Sequence, residues 1–123
     1  MLIDTNILIA FLGGETVVVN LLTTLQKETK TLFLSPIVEA ELLSYSVLSV
    51  TEVATLVVFL KENFVSLSIN SSVAQMAASL RRNRAIKLPD ALIAASALEI
   101  DVPLVTRNIK DFKNIADLQL LMI

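Results

Sequence analysis

The 123 residues carry 10 basic and 12 acidic side chains, are 54% hydrophobic, and include only two glycines and three prolines, which suits one folded domain over residues 1–123 and not a disordered chain. Cysteine and histidine are both absent, excluding disulfides, thiol nucleophiles, Ser-His-Asp chemistry and ordinary zinc sites, so any catalysis falls to carboxylates, hydroxyls, amides, Lys or Arg, and any metal must be a hard ion held by oxygen. The net charge of −2 is unevenly spread: residues 1–80 hold seven acids and three bases, whereas residues 81–123 hold seven bases and five acids.

The chain opens MLIDTN, where a short apolar strand runs into Asp4, Thr5 and Asn6 before apolar residues resume at Ile7. These three form a polar island at the mouth of a hydrophobic layer. The spacing of Val17, Val18, Leu21, Leu22 and Leu25 predicts a helix, and TLFLS at 31–35 predicts a second strand. Ser35-Pro36 ends that strand and starts a helix, with proline at a favourable early position. Val53, Leu56, Val57 and Leu60 mark another helix with Thr51 as its expected N-cap; FVSLS at 64–68 is a third strand, and Asn70 to Leu80 a further helix. DALIAASALE is apolar nearly all round, as in a helix pressed against a sheet. PLVT at 103–106 and LQLLM at 118–122 complete the strands, with a short helix begun at KDF between them.

Mean hydropathy is +0.73, yet the longest apolar runs, VATLVVFL and ALIAASAL, extend for about eight residues, well short of the roughly 18 that a membrane span requires. The N-terminal segment lacks the basic start of a signal peptide and places Asp4 where the apolar stretch should be unbroken. The apolar excess is therefore expected to cover a protein interface. No repeat, low-complexity tract or linker interrupts the chain. Strands alternating with helices predict a parallel sheet with helices on both faces, whose functional sites form at the carboxyl ends of the strands. Asp4 ends the first strand and Thr106 the fourth, so both face one crevice if those strands are neighbours.

Other carboxylates compete for that crevice. Glu39 and Glu41 lie two residues apart on one helix, so at most one faces a given pocket, and helical period does not choose between them. Asp90 sits in the first turn of its helix, where the dipole alone would favour an acid, by about 0.3–1 kcal/mol. Just before it, RRNRAIK packs Arg81, Arg82, Arg84 and Lys87 into seven residues. Such a run is either a solvated helix end or a surface for a polyanion.

The segments DTNILI, SPIVEAEL and LPDALIAASALEIDVPLVTRNIKDF, taken in order, resemble the signature segments of PIN-domain ribonucleases, particularly the short VapC-type toxins of toxin–antitoxin pairs. The resemblance covers nearly the whole chain and implies a PIN-like three-layer α/β/α fold around a central parallel sheet of four to five strands. It implies Asp4, Glu41 and Asp90 as the first three acidic residues, acting catalytically and as metal ligands, and it is this match that selects Glu41 over Glu39. At the fourth acidic position many relatives place an acid two residues after the threonine that closes the fourth strand. Here that place holds Asn108, and Asp111, the nearest carboxylate, either supplies the fourth catalytic acid, as a ligand through water, or only begins the short helix of KDF. Asn6, Thr106 and Asn108 match polar positions that steady the acids by hydrogen bonds.

The resemblance further implies Mg²⁺ or Mn²⁺ as cofactor, an RNA substrate, a cognate antitoxin, a homodimer and a cytoplasmic location. Divalent-metal hydrolysis of a phosphodiester needs no histidine or cysteine, which agrees with the composition. An acidic pocket repels RNA unless bases flank it, and Arg81, Arg82, Arg84, Lys87, Arg107 and Lys110 are the expected phosphate contacts. With five Phe and one Tyr there is no evident base-stacking platform. The competing reading is a PIN-like scaffold that binds RNA or protein without cutting, which the Asn108 departure leaves open. A phospho-acceptor domain would need an acid ending the third strand, and FVSLSIN has none.

Overall fold

Each of the five apolar segments expected to pair does so, but over two or three residues only. In the computed structural model, which describes residues 1–123, the strands are β1 (Leu2–Ile3), β2 (Phe33–Leu34), β3 (Val65–Ser66), β4 (Leu104–Thr106) and β5 (Leu120–Met122). All pair in parallel in the order β3-β2-β1-β4-β5, with Leu2 opposite both Phe33 and Leu104, and Ile3 opposite Val105. Helices α1 (Thr5–Leu12), α2 (Thr16–Lys27), α3 (Pro36–Leu43), α4 (Val50–Asn63), α5 (Ser71–Arg82), α6 (Leu88–Glu99) and α7 (Ile109–Phe112) connect them. From β1 the chain moves outward in one direction to β2 and β3, then crosses back to β4 and β5. Right-handed crossovers put the two sets of helices on opposite faces of the sheet. The result is the three-layer α/β/α arrangement.

The core is a continuous cluster of 26 buried apolar residues centred on the strands, with Leu2, Ile3, Leu104 and Val105 fully buried. Helix α6 buries Ala91, Ile93, Ala94, Ala95, Ser96 and Ala97, and these small side chains let α5 lie closely along it through Val73, Ala77 and Leu80. Helix α4 buries only Leu60 completely. Its Phe59 ring stacks on Phe11 of α1 at 5.8 Å and meets Phe64 edge-on at 6.1 Å.

Two local expectations are corrected. The N-cap of α4 is Ser49 and not Thr51: Ser49 and Glu52 form a reciprocal capping box, leaving Thr51 inside the first turn. Helix α1, which apolar pattern alone left unassigned, begins directly after β1 because Asp4 caps it, its Oδ1 accepting from the Thr5 amide at 2.8 Å. No single helix is long and apolar enough to cross a membrane; α1 and α2 reach that length only together, and they are bent by 107°.

Three helices end in the same turn. After α1, α2 and α6 the amide two residues past the cap reaches back to the last turn (Glu15 to Ala10, Lys30 to Leu25, Val102 to Ala97), which requires a left-handed residue in between. That residue is Gly14 after α1 (φ 76°), but Thr29 after α2 (φ 58°) and Asp101 after α6 (φ 53°). A β-branched side chain is poorly suited to this conformation. Thr29→Gly should therefore raise stability by about 0.5–1 kcal/mol, the relief of the left-handed penalty less the entropy cost of glycine. Thermal unfolding checks it, with a melting temperature at or below that of the unmodified chain contradicting the account.

Candidate active site

The direction of the chain reverses between β1 and β4, and in a doubly wound sheet the crevice opens at the carboxyl ends of two such strands. Asp4 follows β1 there and Thr106 closes β4. Their contact is direct: the Thr106 hydroxyl donates to Asp4 Oδ2 at 2.6 Å, while the Asn108 amide donates to the same hydroxyl oxygen at 2.9 Å. Asp4 and Thr106 are both buried, at 5% and 0% exposure, so a carboxylate taken from water has each oxygen engaged by a donor. One oxygen of Asp4 thus caps α1 and the other joins it to β4.

Glu41 enters from α3. Its Oε2 accepts from the Thr5 hydroxyl at 2.8 Å, so Thr5 joins Asp4 through its amide and Glu41 through its side chain. Thr5 is itself buried; the sequence placed it in the polar island after β1 but gave it no part in the site. A hydroxyl flanked by Asp4 and Asn6 was the only local signal, because its partner lies 36 residues away. Glu39 makes no such contact.

Asp90 occupies the first turn of α6, half-buried. A helix N-terminus should lower its pKa. Instead its carboxyl is pushed up to about 6, first by burial and then by the charges of Asp4, Asp111 and Glu41, against which Lys87 pulls weakly downward. The four acids thus share one electrostatic neighbourhood, and burial together with their repulsion outweighs the dipole. An acid kept in that position at a cost to its ionised form is the pattern of a functional site. Asp111 is oriented by Asn108, whose Nδ2 donates to Asp111 Oδ2 at 2.7 Å. The asparagine at the fourth acidic position therefore holds the nearby carboxylate. Asn6 Oδ1 accepts from the Arg107 amide at 3.4 Å, tying the β4–α7 loop to α1.

The donor set suits a hard cation: every group facing this crevice is an oxygen donor, and no base other than Lys87 offsets the acids around Asp90. No three of the carboxylates close on a single ion-sized point.

The expected basic residues differ in their surroundings. Arg81 Nε donates to the Ile86 carbonyl at 3.1 Å and Arg84 Nη1 to the Leu80 carbonyl at 3.4 Å, so both brace the turn between α5 and α6. Arg82, Lys87 and Lys110 are exposed. The Arg107 guanidinium is engaged by Glu15 at both of its terminal nitrogens.

The chain matches the profile of the PIN domain over residues 1–118. It is similar in structure to VapBC2 from Rickettsia felis bound to a DNA fragment from their promoter, with 30% sequence identity, a TM-score of 0.84, and coverage of 99% of this chain and 97% of that one. A toxin-antitoxin complex from Klebsiella pneumoniae matches at 28% identity and a TM-score of 0.79, covering 98% and 94% of the two chains. VapBC-1 from nontypeable Haemophilus influenzae, at 24% identity and a TM-score of 0.83 over 98% and 96%, shares the fold. No curated protein sequence matches the chain significantly.

The raised pKa of Asp90 has a thermodynamic consequence. Below the ordinary carboxyl pKa of 3.8 the group is neutral whether folded or unfolded and costs nothing; between 3.8 and about 6 the unfolded chain releases a proton that the folded one retains, so stability falls as pH rises. Above about 6 the full cost is present. In metal-free protein, Asp90→Asn should raise the melting temperature at pH 7.5 by roughly 2–5 °C, with little change near pH 3.5. Thermal unfolding in EDTA at both pH values reads this, and an equal shift at the two would show that repulsion is not the cause.

Proposed function

Starting from the fact that this chain belongs to the PIN domain family, we propose that it is a divalent-metal-dependent endoribonuclease and the toxin of a cytoplasmic toxin–antitoxin pair. PIN domains of this kind are generally nucleases. The observation that carries the reading is the concentration of Asp4, Glu41, Asp90 and Asp111 at the switch between β1 and β4, where burial, and then the acidic neighbours, push the Asp90 carboxyl up to about 6. A crowd of carboxylates with so little neutralisation is a poor scaffold element and a good cation trap.

In this reading Asp4, Asp90 and Glu41 would share Mg²⁺ or Mn²⁺, in part through water since the three do not converge on one ion-sized point, and Asp111, steadied by Asn108, stands beside them. When bound, the ion supplies an acidified water and neutralises charge on the phosphate oxygens. The chain's own part is orientation: Thr106 and the Thr5 amide keep the Asp4 carboxylate in one rotamer, and the Thr5 hydroxyl aims Glu41. Asp90 is the group whose ionisation gains most from a cation, because its pKa is held up by charges that the cation offsets. Lys87, near enough to act on Asp90, begins the edge along which Arg81, Arg82 and Arg84 would meet phosphates. The similar chains seen with antitoxins support a protein partner here. So does an exposed apolar surface formed by Ile9 and Leu12 of α1 and Tyr45 and Val47 beyond α3, with the half-buried Leu48 beside them.

Asp90→Asn should abolish cleavage of single-stranded RNA in Mg²⁺ and Mn²⁺, by about a hundredfold or more, while binding stays as tight or tightens because a negative charge facing the phosphates is gone. Cleavage that persists in this variant would favour the scaffold reading. Replacing Arg82 and Lys87 with Ala should weaken binding and flatten its salt dependence by roughly 0.7 in log–log slope per lost phosphate contact. An unchanged slope would return the basic run to a solvated helix end. Sedimentation at micromolar concentration should give a homodimer for the isolated chain, since the exposed apolar surface otherwise meets water; a strict monomer would reserve that surface for the antitoxin.

A further inference from the structure

Arg107 begins at the rim of the acidic pocket. Its amide is held by Asn6, and its neighbours Thr106 and Asn108 bond to Asp4 and Asp111. Its guanidinium does not serve the pocket. It reaches to the turn between α1 and α2, where Nη1 donates to Glu15 Oε2 at 2.9 Å and Nη2 donates to Oε1, a two-pronged ion pair between side chains that remain 36% and 45% exposed. Glu15 occupies the N-cap position of α2 yet makes no capping hydrogen bond. Its carboxylate is turned away from its own helix, and Arg107 is the partner it has. The pairing holds the Glu15 carboxyl below its usual range and Arg107 above its own, as expected when each stabilises the charge of the other.

We infer that Glu15 is a positioning residue that masks Arg107, occupying the guanidinium fork that an RNA phosphate would otherwise take at this edge of the pocket. The inference rests on the ribonuclease reading above. Its chemical basis is that a guanidinium receives two oxygens of a carboxylate or of a phosphate in the same geometry, so the two anions compete for one fork. Because the pair is exposed, little net free energy holds it together and a substrate phosphate can reach it. Phosphate attraction at rest then comes from the Arg82 and Lys87 edge, and the Arg107 edge engages only a phosphate that displaces Glu15. Arg107 is thus a conditional contact, and Glu15 sets the condition.

The test is a double-mutant cycle on binding of a single-stranded RNA oligonucleotide across a salt series, in the Asp90→Asn background so that the RNA stays intact. Glu15→Gln should tighten binding about threefold to tenfold at low salt and steepen the log–log slope by roughly 0.7, one further phosphate contact. Glu28→Gln, the same charge change at the far end of α2, should have a much smaller effect. Arg107→Ala should cost about twofold alone but remove the entire gain when added to Glu15→Gln. Melting temperatures verify that the variants fold, and Arg107→Gln serves where Ala lowers them. Binding unaltered by Glu15→Gln, or a gain that survives in the Glu15→Gln/Arg107→Ala double variant, would overturn the mask, the second outcome assigning the effect to net charge. Failure of every variant and of the parent to bind RNA at any salt would instead remove the ribonuclease reading on which the mask rests.

Discussion

A carboxylate buried at the end of a strand must have its oxygens hydrogen-bonded, and Asp4 meets that requirement with groups from two separated parts of the chain. The Thr5 amide is local. The Thr106 hydroxyl arrives 102 residues later, placed by the register in which Ile3 lies opposite Val105 and the Asp4 amide donates to the Val105 carbonyl. Slipping β4 by one residue against β1 would turn Thr106 to the other face of the sheet and leave Asp4 short of a donor. Sheet register, strand order and the geometry of the acidic pocket are therefore one constraint.

The pocket built on that contact runs against the stability of its own fold. Burial and three neighbouring acids raise the pKa of Asp90 to about 6, so at neutral pH the folded state carries repulsion that a neutral side chain would not. Sites that keep such groups trade stability for function. Elsewhere the chain is well provided: no buried side-chain polar atom lacks a partner, and α4, of whose residues only Leu60 is buried, has a complete capping box. The strain lies in the crevice between β1 and β4 and at the left-handed residues Thr29, Asp101 and Asp117.

Charge is arranged around the pocket by position more than by number. Residues 81–123 hold seven bases, yet Arg81 and Arg84 also brace the loop before α6, and Arg107 is neutralised by Glu15 from the acidic N-terminal part. The free positive surface is narrower than the composition suggests. Lys87 and Arg82 lie on one side of Asp90, and Lys110 sits in α7 beside Asp111.

By itself the sequence determined the class of chemistry and the layering. The absence of His and Cys left oxygen donors alone, and five apolar segments alternating with helical periods specified a parallel sheet with helices on both faces, because hydrophobic periodicity is local and survives without knowledge of the fold. Local pattern did less well where a short-range polar contact outweighed it: Asp4 starts α1 directly after β1, and Ser49 caps α4 in place of Thr51. What only the tertiary structure decided are the long-range pairings. Glu41 and Glu39 are equivalent by helical period, and Thr5 distinguishes them from 36 residues away; Thr106 reaches Asp4, and Glu15 takes Arg107, across still greater separations. Side-chain hydrogen bonds and ion pairs of this kind depend on distances set by strand order and register, which no window of residues along the chain contains.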